Sequence, residues 1–140
     1  MPGSADLTEY SRPCQGIATD AAHSTKQRVT KYQAIDLSTG KMIFYKNLGS
    51  QTANIGEFLA LVEAVKYILL SGFQPRIIYT DSTIALSWFQ NKDTASKKRN
   101  KDLQKAVIFL KAFAAYIDTI IVRHWDNKTW GENPADFGNK

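Results

Sequence analysis

Apolar residues recur along this chain with two periods, two and about 3.6, and the switches between them mark its elements. Gln15 to Ala22 alternates small and apolar residues and reads as a strand. Lys31 to Asp36 and Met42 to Asn47 are two more, with a turn at Leu37-Ser38-Thr39-Gly40 between them. These three predict an antiparallel meander, with His23 to Thr30 a polar, basic loop. Ile55, Leu59, Val62, Val65 and Leu69 then fall at helical spacing, with Phe58 and Leu61 beside them. They predict a helix over Asn54 to Leu70, ended by Gly72.

Ile77, Ile78 and Tyr79 form a short apolar strand. A second helix is expected over Ser82 to Gln90, with Ile84, Ala85, Trp88 and Phe89 facing inward. Asn91 to Lys101 is a charged loop, Asp102 to Tyr116 a third helix and Thr119 to Trp125 a last strand. A short C-terminal helix should begin near Pro134. The order is β-β-β-α-β-α-α-β-α, without repeats or an internal linker. Strand, long helix, strand requires a crossover and so a parallel pairing. The first and fourth strands become neighbours in a mixed five-stranded sheet flanked by helices. The crevice between them is a topological switch point, where open sheets bind ligands.

Acidic residues sit at four places around that crevice. Asp20 lies inside the first strand, where charge is rare; the ordinary alternative is a solvated residue on an edge strand. Glu57 lies near the start of the long helix, where Asn54-Ile55-Gly56-Glu57 also fits a capping box with Asn54 as N-cap. Asp81 follows the apolar strand and equally fits an N-cap for the next helix. Glu132 and Asp136 are four apart and share a side if helical, though acids are ordinary on a solvated C-terminal helix. Jointly they form a set of oxygen donors suited to Mg²⁺ or Mn²⁺. Two such ions roughly 4 Å apart can activate water and stabilise the leaving oxygen of a phosphodiester.

Charge and cysteine content narrow the partners and compartment. Eighteen Lys and Arg against thirteen Asp and Glu give +5 over 140 residues, compatible with a polyanionic partner. Cys14 is the sole cysteine, which excludes an internal disulfide and a cysteine-based zinc site and suits a reducing cytoplasm. Met1 to Arg12 has no apolar segment of a signal peptide, and no apolar run is long enough to span a membrane. Asn127-Lys128-Thr129 matches a glycosylation acceptor by chance. His23 and His124 carry no assigned chemistry, and His124 is expected to be structural.

With these residues in view, Gln15 to Lys140 resembles type 1 ribonuclease H, and more narrowly its compact bacterial group without a separate hybrid-binding domain. The resemblance rests on Thr52-Ala53-Asn54-Ile55-Gly56-Glu57-Phe58-Leu59-Ala60, on Tyr79-Thr80-Asp81-Ser82, and on Trp130-Gly131-Glu132-Asn133-Pro134-Ala135-Asp136-Phe137-Gly138. It implies a ribonuclease H-like α/β fold with strand order 3-2-1-4-5, in a catalytic domain at 14–140 behind a flexible leader at 1–13. It also implies hydrolysis of the RNA strand of RNA/DNA hybrids with two Mg²⁺ or Mn²⁺ ions, leaving 5′-phosphate and 3′-hydroxyl ends. Asp20, Glu57, Asp81 and Asp136 would hold the metals, and Glu132 would manage the second ion and product release. Thr52, Asn54 and Ser96, with Lys97 of the basic loop, would contact the hybrid's backbone. A monomer without an obligate protein partner is expected.

Two departures stand out. Relatives follow the first aspartate with a glycine- and asparagine-containing loop that approaches RNA 2′-hydroxyls through its backbone. Here that segment is Ala21-Ala22-His23-Ser24-Thr25-Lys26, and Ala53 replaces an asparagine. A DNA nuclease or integrase of the same fold is one rival, disfavoured by the early position of Glu57. A hybrid-binding module without turnover is another.

Overall fold

The computed structural model describes residues 11–94 and 100–137. Met1 to Tyr10 of the expected leader and the basic-loop residues Ser96 and Lys97 lie outside the described residues. Strands β1 (Ile17–Ser24), β2 (Val29–Asp36) and β3 (Met42–Gly49) lead into helix α1 (Ala53–Ser71). Strand β4 (Ile77–Thr80), helices α2 (Thr83–Asn91), α3 (Lys101–Ala112) and α4 (Ala114–Ile117), strand β5 (Ile121–His124) and helix α5 (Asn127–Trp130) follow. The sheet order is β3-β2-β1-β4-β5. The meander is antiparallel, while β4 runs parallel to both β1 and β5. This is the expected five-stranded mixed sheet, with β1 in its centre.

Helix α1 holds the molecule together. Its buried residues, from Ile55 through Phe58, Leu61 and Val65 to Ile68, run around most of its circumference. A helix apolar on nearly all sides needs cover on more than one. The sheet supplies Ile17, Ala34 and Ile78; α2 and α3 supply Ala85, Trp88, Leu103, Ala106 and Leu110. Phe58 and Trp88 meet edge to face at 5.7 Å, which places Trp88 in the core as expected. Each such fully buried large side chain contributes roughly 1.5–3 kcal/mol of transfer free energy. Gly72, at φ 74°, closes α1 by returning its N–H to the Ile68 carbonyl at 2.9 Å.

Several expected boundaries move. Half of the loop placed at His23 to Thr30 is strand: β1 and β2 stay paired out to Ser24 and Val29, leaving a four-residue turn. Polar side chains hid these pairs, because a hairpin end projecting beyond the core has little apolar surface to bury. Strand β3 runs two residues further than expected, to Gly49, with register shifts that blunt this edge. The third helix breaks at Phe113 into α3 and α4, and Ile84 is 45% exposed rather than inward-facing. Strand β5 is shorter than Thr119 to Trp125, and His124 is exposed on that edge. No helix begins at Pro134 among the described residues. Pro134 and Ala135 form a turn, and the helix lies upstream as α5.

That C-terminal turn covers the other face of β1. Ala135 packs on Ala18 and Ile35, a small apolar cluster opposite the main core. The leader is tied down at its end, where Arg12 sits 5.6 Å over the Trp125 ring and donates to the Trp130 carbonyl at 3.3 Å.

Candidate active site

Strands β1 and β4 pair at Ile17 with Ile78, Ala18 with Tyr79 and Thr19 with Thr80. The next residue on each strand is an aspartate, Asp20 and Asp81, where the parallel ladder ends. Asp20 is 4% exposed on a strand flanked on both sides, which removes the edge-strand alternative. Its backbone partner on β2 is Gln33.

The capping alternatives for the other two acids also fall. Thr52, not Asn54, is the N-cap of α1, accepting from the Ile55 N–H at 3.3 Å. Glu57 is therefore five residues past the cap, too deep in the helix to reach back to it. Ser82, not Asp81, caps α2 by accepting from the Ala85 N–H at 3.0 Å. Neighbouring residues in each segment are all capable caps, and Thr52 and Ser82 took the role. Both carboxylates are left to face the crevice.

Gly56 explains how Glu57 arrives there. A Cβ on Gly56 would meet Thr30 Cγ2 at 2.7 Å and Ala21 Cβ at 3.1 Å. Only glycine lets the first turns of α1 settle onto β1 and β2 this closely. Carboxylate oxygens of Asp20, Glu57 and Asp81 consequently lie within 4.8 Å of one another. Asp81 is half-buried, and Glu57 Oε1 is sealed from solvent with no hydrogen-bond partner among the described residues. Burial, then the charges of Asp20 and Asp81, push the Glu57 carboxyl up to about 9, against a small opposing effect from the Ala21 backbone. A crowded, partly unsatisfied carboxylate group is costly by itself and fits a divalent cation, which would supply the missing positive charge.

Three amides that the sequence reading passed over hold this site. Asn127 Nδ2 donates to Asp81 Oδ2 at 3.2 Å, and Asn127 Oδ1 accepts from the Asn133 N–H at 3.1 Å. Asn133 Nδ2 donates to the Thr19 carbonyl, next to Asp20, at 2.9 Å. Gln33 Nε2 donates to the Ala135 carbonyl at 2.6 Å and to the Asp136 carbonyl at 3.4 Å. Asn127 was visible only as part of a chance glycosylation triplet. Asn133 lay inside a quoted motif, but its contact partner is 114 residues away.

Asp136 is half-buried and its backbone hangs from Gln33, the neighbour of Asp20. It is not one of the three acids whose oxygens lie within 4.8 Å of one another. Glu132 is exposed in the preceding turn, so the shared helical face expected for Glu132 and Asp136 is not formed. Thr52 is half-buried and Asn54 exposed at the N-terminus of α1, on the helix that carries Glu57.

No protein-family model matches the chain. Among solved structures, LC11-RNase H1 in complex with an RNA/DNA hybrid aligns at 15% identity and a TM-score of 0.54, over 80% of this chain and 85% of that one. A second structure of LC11-RNase H1, isolated from compost by a metagenomic approach, aligns at 15% identity and 0.54, over 81% and 85%. RNase H1 from the halophilic archaeon Halobacterium salinarum aligns at 16% identity and 0.49, over 85% and 90%. With the sheet order and the crossover, the likeness to LC11-RNase H1 shows that this chain has the ribonuclease H-like fold.

Proposed function

We propose that this protein is a ribonuclease H: a divalent-metal-dependent endonuclease that hydrolyses the RNA strand of RNA/DNA hybrids. The observation that carries the reading is the group of Asp20, Glu57 and Asp81 within 4.8 Å at the switch point of this fold. The hybrid bound by the structurally similar LC11-RNase H1 supports the choice of substrate.

Asp20, Glu57 and Asp81 would hold one ion, and Asp136 would complete the set for a second. Oxygen-only donors suit Mg²⁺ or Mn²⁺. When bound, the ions supply charge stabilisation to the attacking and leaving oxygens of an in-line displacement, giving 5′-phosphate and 3′-hydroxyl ends.

The chain's own residues set the geometry. Asn127 holds the Asp81 carboxylate in one orientation, and Gln33 and Asn133 pin the C-terminal turn to β1 and β2. Thr52 and Asn54 present the N-terminus of α1 to a backbone phosphate. Glu132, which is exposed, would assist product release. Ser96 and Lys97 complete the proposed phosphate contacts. The test is cleavage of an end-labelled hybrid beside duplex DNA and duplex RNA, with Mg²⁺, Mn²⁺ or EDTA. Metal-dependent cuts confined to the RNA of the hybrid support the reading; equal cleavage of duplex DNA refutes it.

A further inference from the structure

We infer that Arg12, which precedes the first strand, is a positioning residue for Asp81. Its guanidinium clamps helix α5 and so fixes Asn127, the residue that orients the Asp81 carboxylate. This role in turnover rests on the hydrolysis proposed above. Helix α5 is a single turn, Asn127–Trp130. One turn fixes several backbone angles for few hydrogen bonds, so it does not persist without outside support. Yet Asn127, its first residue, donates to Asp81 Oδ2 at 3.2 Å. The direction of that carboxylate is only as definite as the seat of this turn.

The domain itself supports the start of α5. Trp125 donates its N–H to the Thr80 carbonyl at 2.7 Å, and Asp126 accepts from the Lys128 and Thr129 N–H groups at 3.0 and 3.1 Å. At the other end, the Trp125 indole N–H reaches the Gly131 carbonyl at 2.9 Å. The Trp130 carbonyl accepts from Arg12 Nη1 at 3.3 Å, and the same guanidinium lies 5.6 Å from the centre of the Trp125 ring. A Cβ on Gly131 would lie 3.7 Å from Nη1. One planar cation therefore touches the chain just before α5, at its last residue and just after it, a span that suits the flat fork of arginine.

The clamp bears on a rigid support. Trp125 is fully buried and meets Tyr79 edge to face at 5.9 Å and Trp130 at 5.2 Å, while Tyr79 meets Trp130 at 6.2 Å. Tyr79 lies on β4, two residues before Asp81. Arg12 itself is exposed, and surface contacts of this kind are individually weak. Their loss should leave the core intact and loosen α5 alone, because local opening costs less than unfolding.

The test compares Arg12→Ala, Arg12→Lys, Asn127→Ala and the double variant Arg12→Ala/Asn127→Ala. In metal-free Arg12→Ala, hydrogen exchange at the Trp130 and Gly131 amides and at the Trp125 indole should quicken about fivefold, the scale of one surface hydrogen bond. The Asn127 side-chain amide signal should shift towards its value in Asp81→Ala, where its acceptor is gone. On a hybrid in saturating Mg²⁺, kcat should fall by a similar factor with KM little changed. Arg12→Lys, which keeps the cation without the fork, should recover part of each effect. In the Asn127→Ala background, removing Arg12 should cost nothing further in kcat, because the two residues act on Asp81 in series. Equal losses of kcat in both backgrounds overturn the inference, as does unchanged exchange in Arg12→Ala. A loss confined to KM with an altered salt slope also overturns it, since that marks a phosphate contact. A wild type that cuts no hybrid, with the Asn127 signal still shifted in Arg12→Ala, would sink the proposed function and leave the positioning of Asp81 by Arg12 standing.

Discussion

Glu57→Gln should make the metal-free protein more stable while removing its response to divalent ions. The Glu57 carboxyl is raised from 4.5 to about 9 by burial and by Asp20 and Asp81. Between those values the folded state holds a proton that the unfolded state has released. Stability of the metal-free protein therefore falls as pH rises from 4.5 towards 9. At about 1.36 kcal/mol per unit, the interval from 4.5 to pH 7 corresponds to a cost on the order of 3 kcal/mol. Glutamine keeps the shape and cannot ionise, so it removes that cost. For a domain of this size the gain is a rise of roughly 10 °C in Tm. Urea denaturation in EDTA at pH 5, 7 and 8.5 measures it: the wild type should lose stability along the series, and the variant should lose much less. Added Mg²⁺ should restore the wild type, because binding to the native state alone stabilises it. A wild-type profile flat from pH 5 to 8.5, or a variant less stable than the wild type at pH 7 in EDTA, would refute the account of a strained carboxylate group.

Other substitutions test how the site is held. Gly56→Ala, despite its better helix propensity, should destabilise by about 1–3 kcal/mol, because the new methyl meets buried Thr30 at 2.7 Å; thermal denaturation reads this, and Mn²⁺ titration should show weaker binding as Glu57 is lifted away. Asn127→Ala should slow hybrid cleavage about tenfold or more with a Tm change of only a few degrees, since it frees Asp81 while removing two hydrogen bonds, neither of them fully buried. Gln33→Leu should cost about 1–3 kcal/mol by stranding the buried Ala135 carbonyl, and should raise the Mg²⁺ concentration needed for half-maximal rate as Asp136 shifts.

The sheet was legible because its central strands are short apolar runs and its crossover helix is long and periodic. The carboxylates were legible because charge inside Gln15 to Ala22 and after Ile77-Ile78-Tyr79 conflicts with local pattern. Caps were not, since Thr52 and Asn54, or Asp81 and Ser82, are near-equal capping residues and tertiary packing chose between them. Pro134 suits the first turn of a helix and also a plain turn, and the contact of Ala135 with Ala18 and Ile35 decided for the latter. Gln33, Asn127 and Asn133 act across separations of 46 to 114 residues, which no local pattern encodes.

The central claim is that Asp20, Glu57 and Asp81 work together on a phosphodiester through bound cations. Its most direct test is cleavage of a 5′-labelled RNA annealed to DNA, comparing wild type with Asp81→Asn at saturating Mg²⁺. The wild type should cut only with metal, and the variant, with its fold intact by circular dichroism, should be slower by on the order of 10³-fold or more, the loss expected when a group stabilising transition-state charge is removed. Wild-type cleavage that persists in EDTA, or a variant as fast as the wild type, would contradict the account.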